Sequence, residues 1–199
     1  MTEAGTFHAI ENRDGGGWPR PVAITGALRV QDQAAALDKG RSLKMLESAD
    51  AEMHLRFYLG LKVGERRARF GAAISDEAIR RYCRAIDWSR MIAIGRVRTC
   101  SLEAVIEIHP PCASWHTAEI ALASAVPAAR TRIFAELLQI AAFAAGHRGC
   151  STFTMLLNSA DRELLPLLAD MGNVVHVEDH IAVDLGGYTL GRNLTGARR

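Results

Sequence analysis

The sequence predicts an α/β protein in which helices cover both faces of one mixed, mostly antiparallel sheet. Three features carry that expectation. Runs rich in β-branched residues recur from residue 91 onward, helix-period segments interrupt them, and glycine-rich or polar stretches mark the boundaries. The predicted order is helix, three strands, helix, strand, helix and two strands.

The first helix is expected over 75–86. Ser75-Asp76-Glu77 supplies a capping hydroxyl and two acids at its start, and Ile79, Tyr82, Cys83 and Ile86 form one apolar stripe. Residues 91–95 and 102–108 are short β-branched runs separated by 96–101, the pattern of an antiparallel hairpin, and 118–124 gives a third strand. Between 131 and 146, Ile133, Phe134, Leu137, Leu138, Ala141, Ala144 and Ala145 make one broad helical face, which the glycines at 146 and 149 end. Residues 150–157 carry no charge and read as a central strand. A helix over 162–171 follows, with Asp161 placed to cap it and Gly172 to end it. Strands at 174–177 and 180–185 complete the sheet.

Residues 1–50 show no sustained periodicity and contain Gly15-Gly16-Gly17 and Trp18-Pro19. They read as an N-terminal tail, either of low order or with one short helix near 31–48. The folded domain is expected over 51–186, with a C-terminal tail at 187–199. A net charge of +2 gives no concentrated basic field, so neither nucleic acid nor an anionic membrane is expected as partner. The arginines at 66, 67, 69, 80, 81 and 84 read as solvated helix faces and ion pairs, without the interleaved aromatics of a nucleic-acid track. Cys83, Cys100, Cys112 and Cys150 never approach a C-x-x-C spacing, which fits a reducing cytoplasm and gives neither a disulfide framework nor a zinc knuckle. His109, Cys112 and His116 share one loop, but its prolines suit an extended connection, and no metal site is predicted.

In order along the chain, Arg69-Phe70, Ser75-Asp76-Glu77, Ile86-Asp87-Trp88, the hairpin, Ala118-Glu119-Ile120-Ala121-Leu122, His147-Arg148-Gly149 and Asp161-Arg162-Glu163-Leu164-Leu165 follow a familiar layout. Over 51–186 it resembles the GCN5-related N-acetyltransferase (GNAT) superfamily, and is most similar to bacterial protein-lysine acetyltransferases. The resemblance implies acetyl-CoA as cofactor, an amine such as a protein lysine as acceptor, and a single GNAT-like domain. It also implies that the pyrophosphate sits between the strand at 118–124 and the next helix, on a turn of small residues.

That turn departs from the pattern. It reads Ser124-Ala-Val-Pro-Ala-Ala-Arg-Thr-Arg-Ile-Phe134, without glycine, and puts Ala129 at the Gln/Arg position and Arg132 and Phe134 where small residues belong. Three readings stand. Arg130, Thr131 and Arg132 replace backbone contacts with charge-assisted ones, the bulky side chains fill the phosphate space and leave an inactive binding module, or the arginines are solvated.

Acyl transfer to an amine needs a base and donors for the thioester oxyanion. The resemblance assigns the base to Glu119 and the carbonyl donors to backbone N–H groups from Leu122 to Ala125. With the turn, this gives cofactor contacts at Leu122, Ser124, Val126, Ala129, Arg130, Thr131 and Arg132, and acceptor-side residues Arg69 and His116. Read as structure alone, Glu119 faces water or pairs with an arginine such as Arg69. The helix at 162–171 lacks the tyrosine that serves many relatives as general acid; Tyr188 and Cys150 can titrate in its place, and read as structure alone they are a tail residue and a core residue.

Overall fold

Alternation along one strand, Ser101–His109, sorts its side chains between two cores: Ala104, Ile106 and Ile108 enter one, and Val105 the other. The computed structural model describes residues 40–156, 159–177 and 179–186. In chain order its elements are β1 Arg41–Leu46, α1 Ala51–Gly60, α2 Val63–Phe70, α3 Asp76–Ala85, β2 Ile92–Arg98, β3 Ser101–His109, β4 Thr117–Ser124, α4 Arg130–Gly146, β5 Thr152–Leu156, α5 Leu165–Met171, β6 Asn173–Val177 and β7 His180–Asp184. The seven strands form one sheet in the order β1-β2-β3-β4-β5-β7-β6. Every neighbouring pair among these is antiparallel except β4 with β5.

The predicted α/β class with helices on both faces is what the chain adopts. α4 and α5 pack on the face that carries Ile106, Ile120 and Phe153, while α1 and α3 cover the face of Val105 and Ala123. α4 buries Ile133, Phe134, Leu137, Leu138, Ala141, Ala144 and Ala145, the stripe read from the sequence. Ser75 caps α3 as expected, its Oγ accepting the Ala78 N–H at 3.2 Å.

Four local expectations are corrected. The helix near 31–48 gives way, in its described part, to β1, which pairs in register with β2 from Arg41↔Arg98 to Leu46↔Ala93; residues 31–39 lie outside the described residues. The free edge of β2 offers a row of ladder partners, and that demand overrides local helix propensity. The sheet therefore starts at Arg41, ahead of the expected boundary at 51. Two helices, α1 and α2, occupy a region the sequence reading left without elements. The helix expected over 162–171 is a 3-10 turn, Ser159–Leu164, followed by α5, whose cap is Leu164 and not Asp161. Pro166 has no N–H to donate and fits only the first turn of a helix, so the regular helix starts beside it.

Gly172 ends α5 for a packing reason. A Cβ there would collide with the Asp184 backbone carbonyl of β7, so only glycine lets α5 turn back this close to the sheet.

Candidate active site

β4 and β5 pair only at Thr117↔Thr152, Ala118↔Phe153 and Glu119↔Thr154. Past that point β4 runs on to Ser124 against β3, and β5 runs on to Leu156 against β7. Among the described residues the two strands stop pairing while both continue, which opens a gap in the middle of the sheet. The Ala125 N–H donates to the Glu103 carbonyl at 2.8 Å, on the β3 side. Because bonding direction alternates along an antiparallel strand, Ala121 and Ala123 also bond toward β3, and the N–H groups of Ile120, Leu122 and Ser124 point into the gap. Of the donors expected from Leu122 to Ala125, the structure thus turns Leu122 and Ser124 toward one space and Ala123 and Ala125 away from it.

At the far end of β4 the chain passes through a 3-10 turn, Pro127–Ala129, into α4. The turn is internally bonded: Val126 N–H donates to Ser124 Oγ at 3.1 Å and Ala129 N–H to the Val126 carbonyl at 3.1 Å. No side chain caps α4 and no acid stands in its first turn, although the Arg130 N–H already donates to the Pro127 carbonyl of the preceding turn; the positive end of this 17-residue helix carries no first-turn counter-charge. Phe134 does not fill that space. It lies one helical turn in, on the core face, and is fully buried with Leu137 and Leu138. Nor is Arg130 simply solvated: its guanidinium stacks over the Phe134 ring, 5.1 Å from the centroid, and comes within 3.6 Å of the Glu163 carboxylate. Arg132 is more exposed and approaches Glu136 at 3.5 Å. Glu136 also accepts from buried Arg96, which lies 3.4 Å from Glu103 as well.

On the α1–α3 face, Glu107 of β3 is completely buried. Its neighbours in the sheet are Ala93 and Ala121, whose small side chains leave it room to reach three helices. Oε1 meets His54 Nε2 of α1 at 2.7 Å, and Oε2 accepts from the Tyr82 hydroxyl of α3 at 2.6 Å and from Arg69 of α2. Burial by itself raises the pKa of this carboxyl, but the Arg69 charge and the His109 and His54 contacts outweigh it and hold the group well below the usual carboxylate range. Burial and the Glu107 charge push the Tyr82 phenol far upward, so it stays a donor. Beside this cluster Tyr82, Asp87, Arg90, Met91 and His109 line a cleft of ≈ 380 Å3.

Glu119 is exposed, at the mouth of the gap, on the same face of the sheet and directly opposite His109 in the β3–β4 register. Arg69 pairs with Glu107, the carboxylate two residues along β3 from His109. Thr131 is exposed in the first turn of α4. His116 lies elsewhere, just before β4. Its carbonyl accepts the N–H groups of Ser151 and Thr152 at 2.9 and 3.1 Å, and its ring meets Ser151 Oγ at 3.1 Å. Three residues separate it from Glu119, which puts the two on opposite phases of the strand. Cys150 is buried at the same end of the sheet, and burial pushes its thiol upward. Tyr188 lies outside the described residues.

Sequence reasoning missed Glu107. The available signal was period-2 spacing: Val105, Glu107 and His109 share one face, and Glu107 interrupts the apolar run Ala104-Val-Ile-Glu-Ile108.

No protein-family profile and no curated protein sequence matches the chain. Solved structures do. The GNAT domain of PAT from S. lividans superimposes with a TM-score of 0.57 at 18% identity, covering 71% of this chain and 87% of that one. A GCN5-related N-acetyltransferase from Kribbella flavida gives a TM-score of 0.55 at 17% identity, with 74% of this chain and 99% of that one covered. The Salmonella typhimurium protein yncA, whose structure includes acetyl-CoA as its cofactor, gives 0.54 at 10% identity, with coverage of 75% and 96%. The divided sheet, the helix that starts beside the gap and the agreement with these structures together establish that the chain has the fold of the GCN5-related N-acetyltransferases.

Proposed function

We propose that the protein is an acyl-CoA-dependent N-acyltransferase that transfers an acetyl group to an amine. The observation that carries this reading is the parting of β4 and β5 beside Glu119, with Leu122 and Ser124 N–H groups aimed into the opening. Bound there, acetyl-CoA supplies the acyl thioester. The donor set fits it: an uncapped helix start and two guanidinium groups for the diphosphate, and strand N–H groups for the thioester carbonyl. Leu122 and Ser124 hold the negative charge that develops on the carbonyl oxygen. Glu119, at the mouth of the gap and open to solvent, takes the proton of the incoming amine. A protein lysine is the acceptor favoured by the resemblance to lysine acetyltransferases, and an exposed base suits an acceptor presented on another protein's surface.

A specific observation favours a second reading, a GNAT-fold module that senses a ligand or binds a partner without catalysis. Arg130 and Arg132 each face one of the protein's own carboxylates, and the N–H groups of Ala125, Val126 and Ala129 are bonded within the chain. Calorimetric titration with acetyl-CoA separates the two. Saturable binding is expected, weakened about 10- to 100-fold by Arg130→Ala and less by Arg132→Ala, because Arg130 is held in place by Phe134 and a charge-assisted contact contributes about 1.5–3 kcal/mol. Wild-type protein that shows no saturable heat change, released or absorbed, at millimolar acetyl-CoA would leave only the second reading.

A further inference from the structure

We propose that the outer face of α3, with the cleft at its last turn, docks an acidic stretch of polypeptide that flanks the acceptor lysine. This rests on the acyltransferase reading above and names the kind of acceptor it takes. The whole chain is nearly neutral, but the fold gathers its positive charge in one layer. Residues 51–90, which form α1, α2, α3 and the turn into β2, hold nine Lys or Arg against five Asp or Glu, whereas the other described residues hold eight against eleven.

Pairing within the layer leaves most of that excess facing water. Arg56 meets Glu52, Arg66 meets Asp76 and Arg69 meets buried Glu107. Among the described residues Lys62, Arg67, Arg80, Arg81 and Arg84 are exposed and form no ion pair. On α3 the helical spacing puts Arg80, Arg81 and Arg84 on one outer stripe, opposite buried Ile79, with Glu77 as the acid among them. Arg90 extends the row to the cleft, which it lines with Tyr82, Asp87, Met91 and His109. The acid there is held by its own turn: Asp87 Oδ1 accepts the Ser89 N–H at 3.0 Å and the Ser89 hydroxyl at 2.6 Å.

The cleft adjoins the candidate base. His109, on its wall, stands directly opposite Glu119 in the β3–β4 register, which sets their Cβ atoms about 5 Å apart on one face of the sheet. An extended chain advances about 3.3 Å per residue, so residues two to four places from a lysine at Glu119 come over the cleft and the last turn of α3. Carboxylates at those places meet Arg90 and Arg84. Polypeptide fits this face better than nucleic acid because the aromatic rings of the layer turn inward. Phe57 and Tyr58 are buried, and Phe70, Tyr82 and Trp88 pack half-buried against the same core, so none stands exposed for a base to stack on.

The test compares peptides that differ only beside one lysine, flanked by Asp, Asn or Arg, in acetyl transfer by the full chain and in direct binding followed by fluorescence anisotropy. The Asp peptide is expected to exceed the Asn peptide about three- to tenfold in kcat/KM and in affinity, as two exposed charge pairs would give, and the advantage is expected to shrink as salt rises. In the charge-reversed variant Arg84→Glu with Arg90→Glu, two exposed substitutions, the order is expected to invert toward the Arg peptide at unchanged acetyl-CoA affinity. Equal values for the Asp and Asn peptides, or a preference that charge reversal leaves in place, would overturn the docking face while leaving the acyltransferase reading standing. Tighter binding of a single-stranded oligonucleotide of matched charge would overturn it in favour of nucleic acid. Absence of acetyl-CoA binding in the wild type would overturn the acyltransferase reading and, with it, the part of this face in choosing an acceptor.

Discussion

Glu107→Gln is expected to destabilise the fold by about 3–5 kcal/mol, because it leaves the Arg69 guanidinium buried without its counter-charge. The rings around Arg69 do not replace the carboxylate. Phe70, Tyr82 and Tyr58 lie 4.7, 5.3 and 5.8 Å from its guanidinium carbon, and such contacts contribute less than a desolvated ion pair costs to break. Urea denaturation at neutral pH measures the loss as a lower midpoint. The pH dependence has a definite sign. The folded state holds Glu107 well below the ordinary carboxylate range, whereas in the unfolded chain it titrates near ~4.3. The folded protein thus binds this proton more weakly than the unfolded chain does. Its contribution is fully present above the unfolded pKa and is lost as pH falls toward the folded one. The gap in stability between wild type and Glu107→Gln should therefore be wide at pH 7, begin to shrink only below about pH 4, and close as the pH approaches the depressed folded value. Equal stability at neutral pH would mean that the cluster does not hold the helices to the sheet.

Glu119→Gln is expected to leave stability unchanged and to lower kcat for acetyl transfer about 100- to 10,000-fold, the range over which a positioned base acts. Exposure explains the first half: the side chain stands outside the core, so a neutral isostere disturbs no packing. Its role explains the second, since the amide cannot take the amine proton. Thiol release from acetyl-CoA with a lysine-containing acceptor, measured alongside cofactor affinity, checks both halves. Rates equal to wild type at equal affinity would remove Glu119 from the chemistry and move attention to Glu107 and His109.

The parts of this molecule that follow from local pattern were legible in the sequence. The stripe of α4, the cap on Ser75 and the β2–β3 hairpin depend on neighbours a few residues away, and each stands where periodicity placed it. What escaped depends on distant partners. β1 is a strand because β2, some fifty residues later, offers an edge. α1 carries a helical stripe of His54, Phe57 and Tyr58, but its first member is polar and looks out of place until Glu107 is known to meet it. The candidate site divides the same way. Glu119 and the arginines at 130 and 132 were visible as residues, whereas the parting of β4 from β5 is a property of pairing that a single strand does not record. From sequence Phe134 reads both as part of the apolar stripe of α4 and, in one of three readings of the turn, as a plug of the phosphate space; its helical phase carries it to the core.

The gap itself can be probed without an acceptor, by following backbone amide resonances of 15N-labelled protein during titration with acetyl-CoA. Downfield movement of the Leu122 and Ser124 N–H signals is expected, with Ala121, Ala123 and Ala125 nearly still, because only the first two aim into the opening between the parted strands. Saturable binding that leaves Leu122 and Ser124 unmoved, or that perturbs both alternation sets alike, would contradict a thioester held by the exposed side of β4.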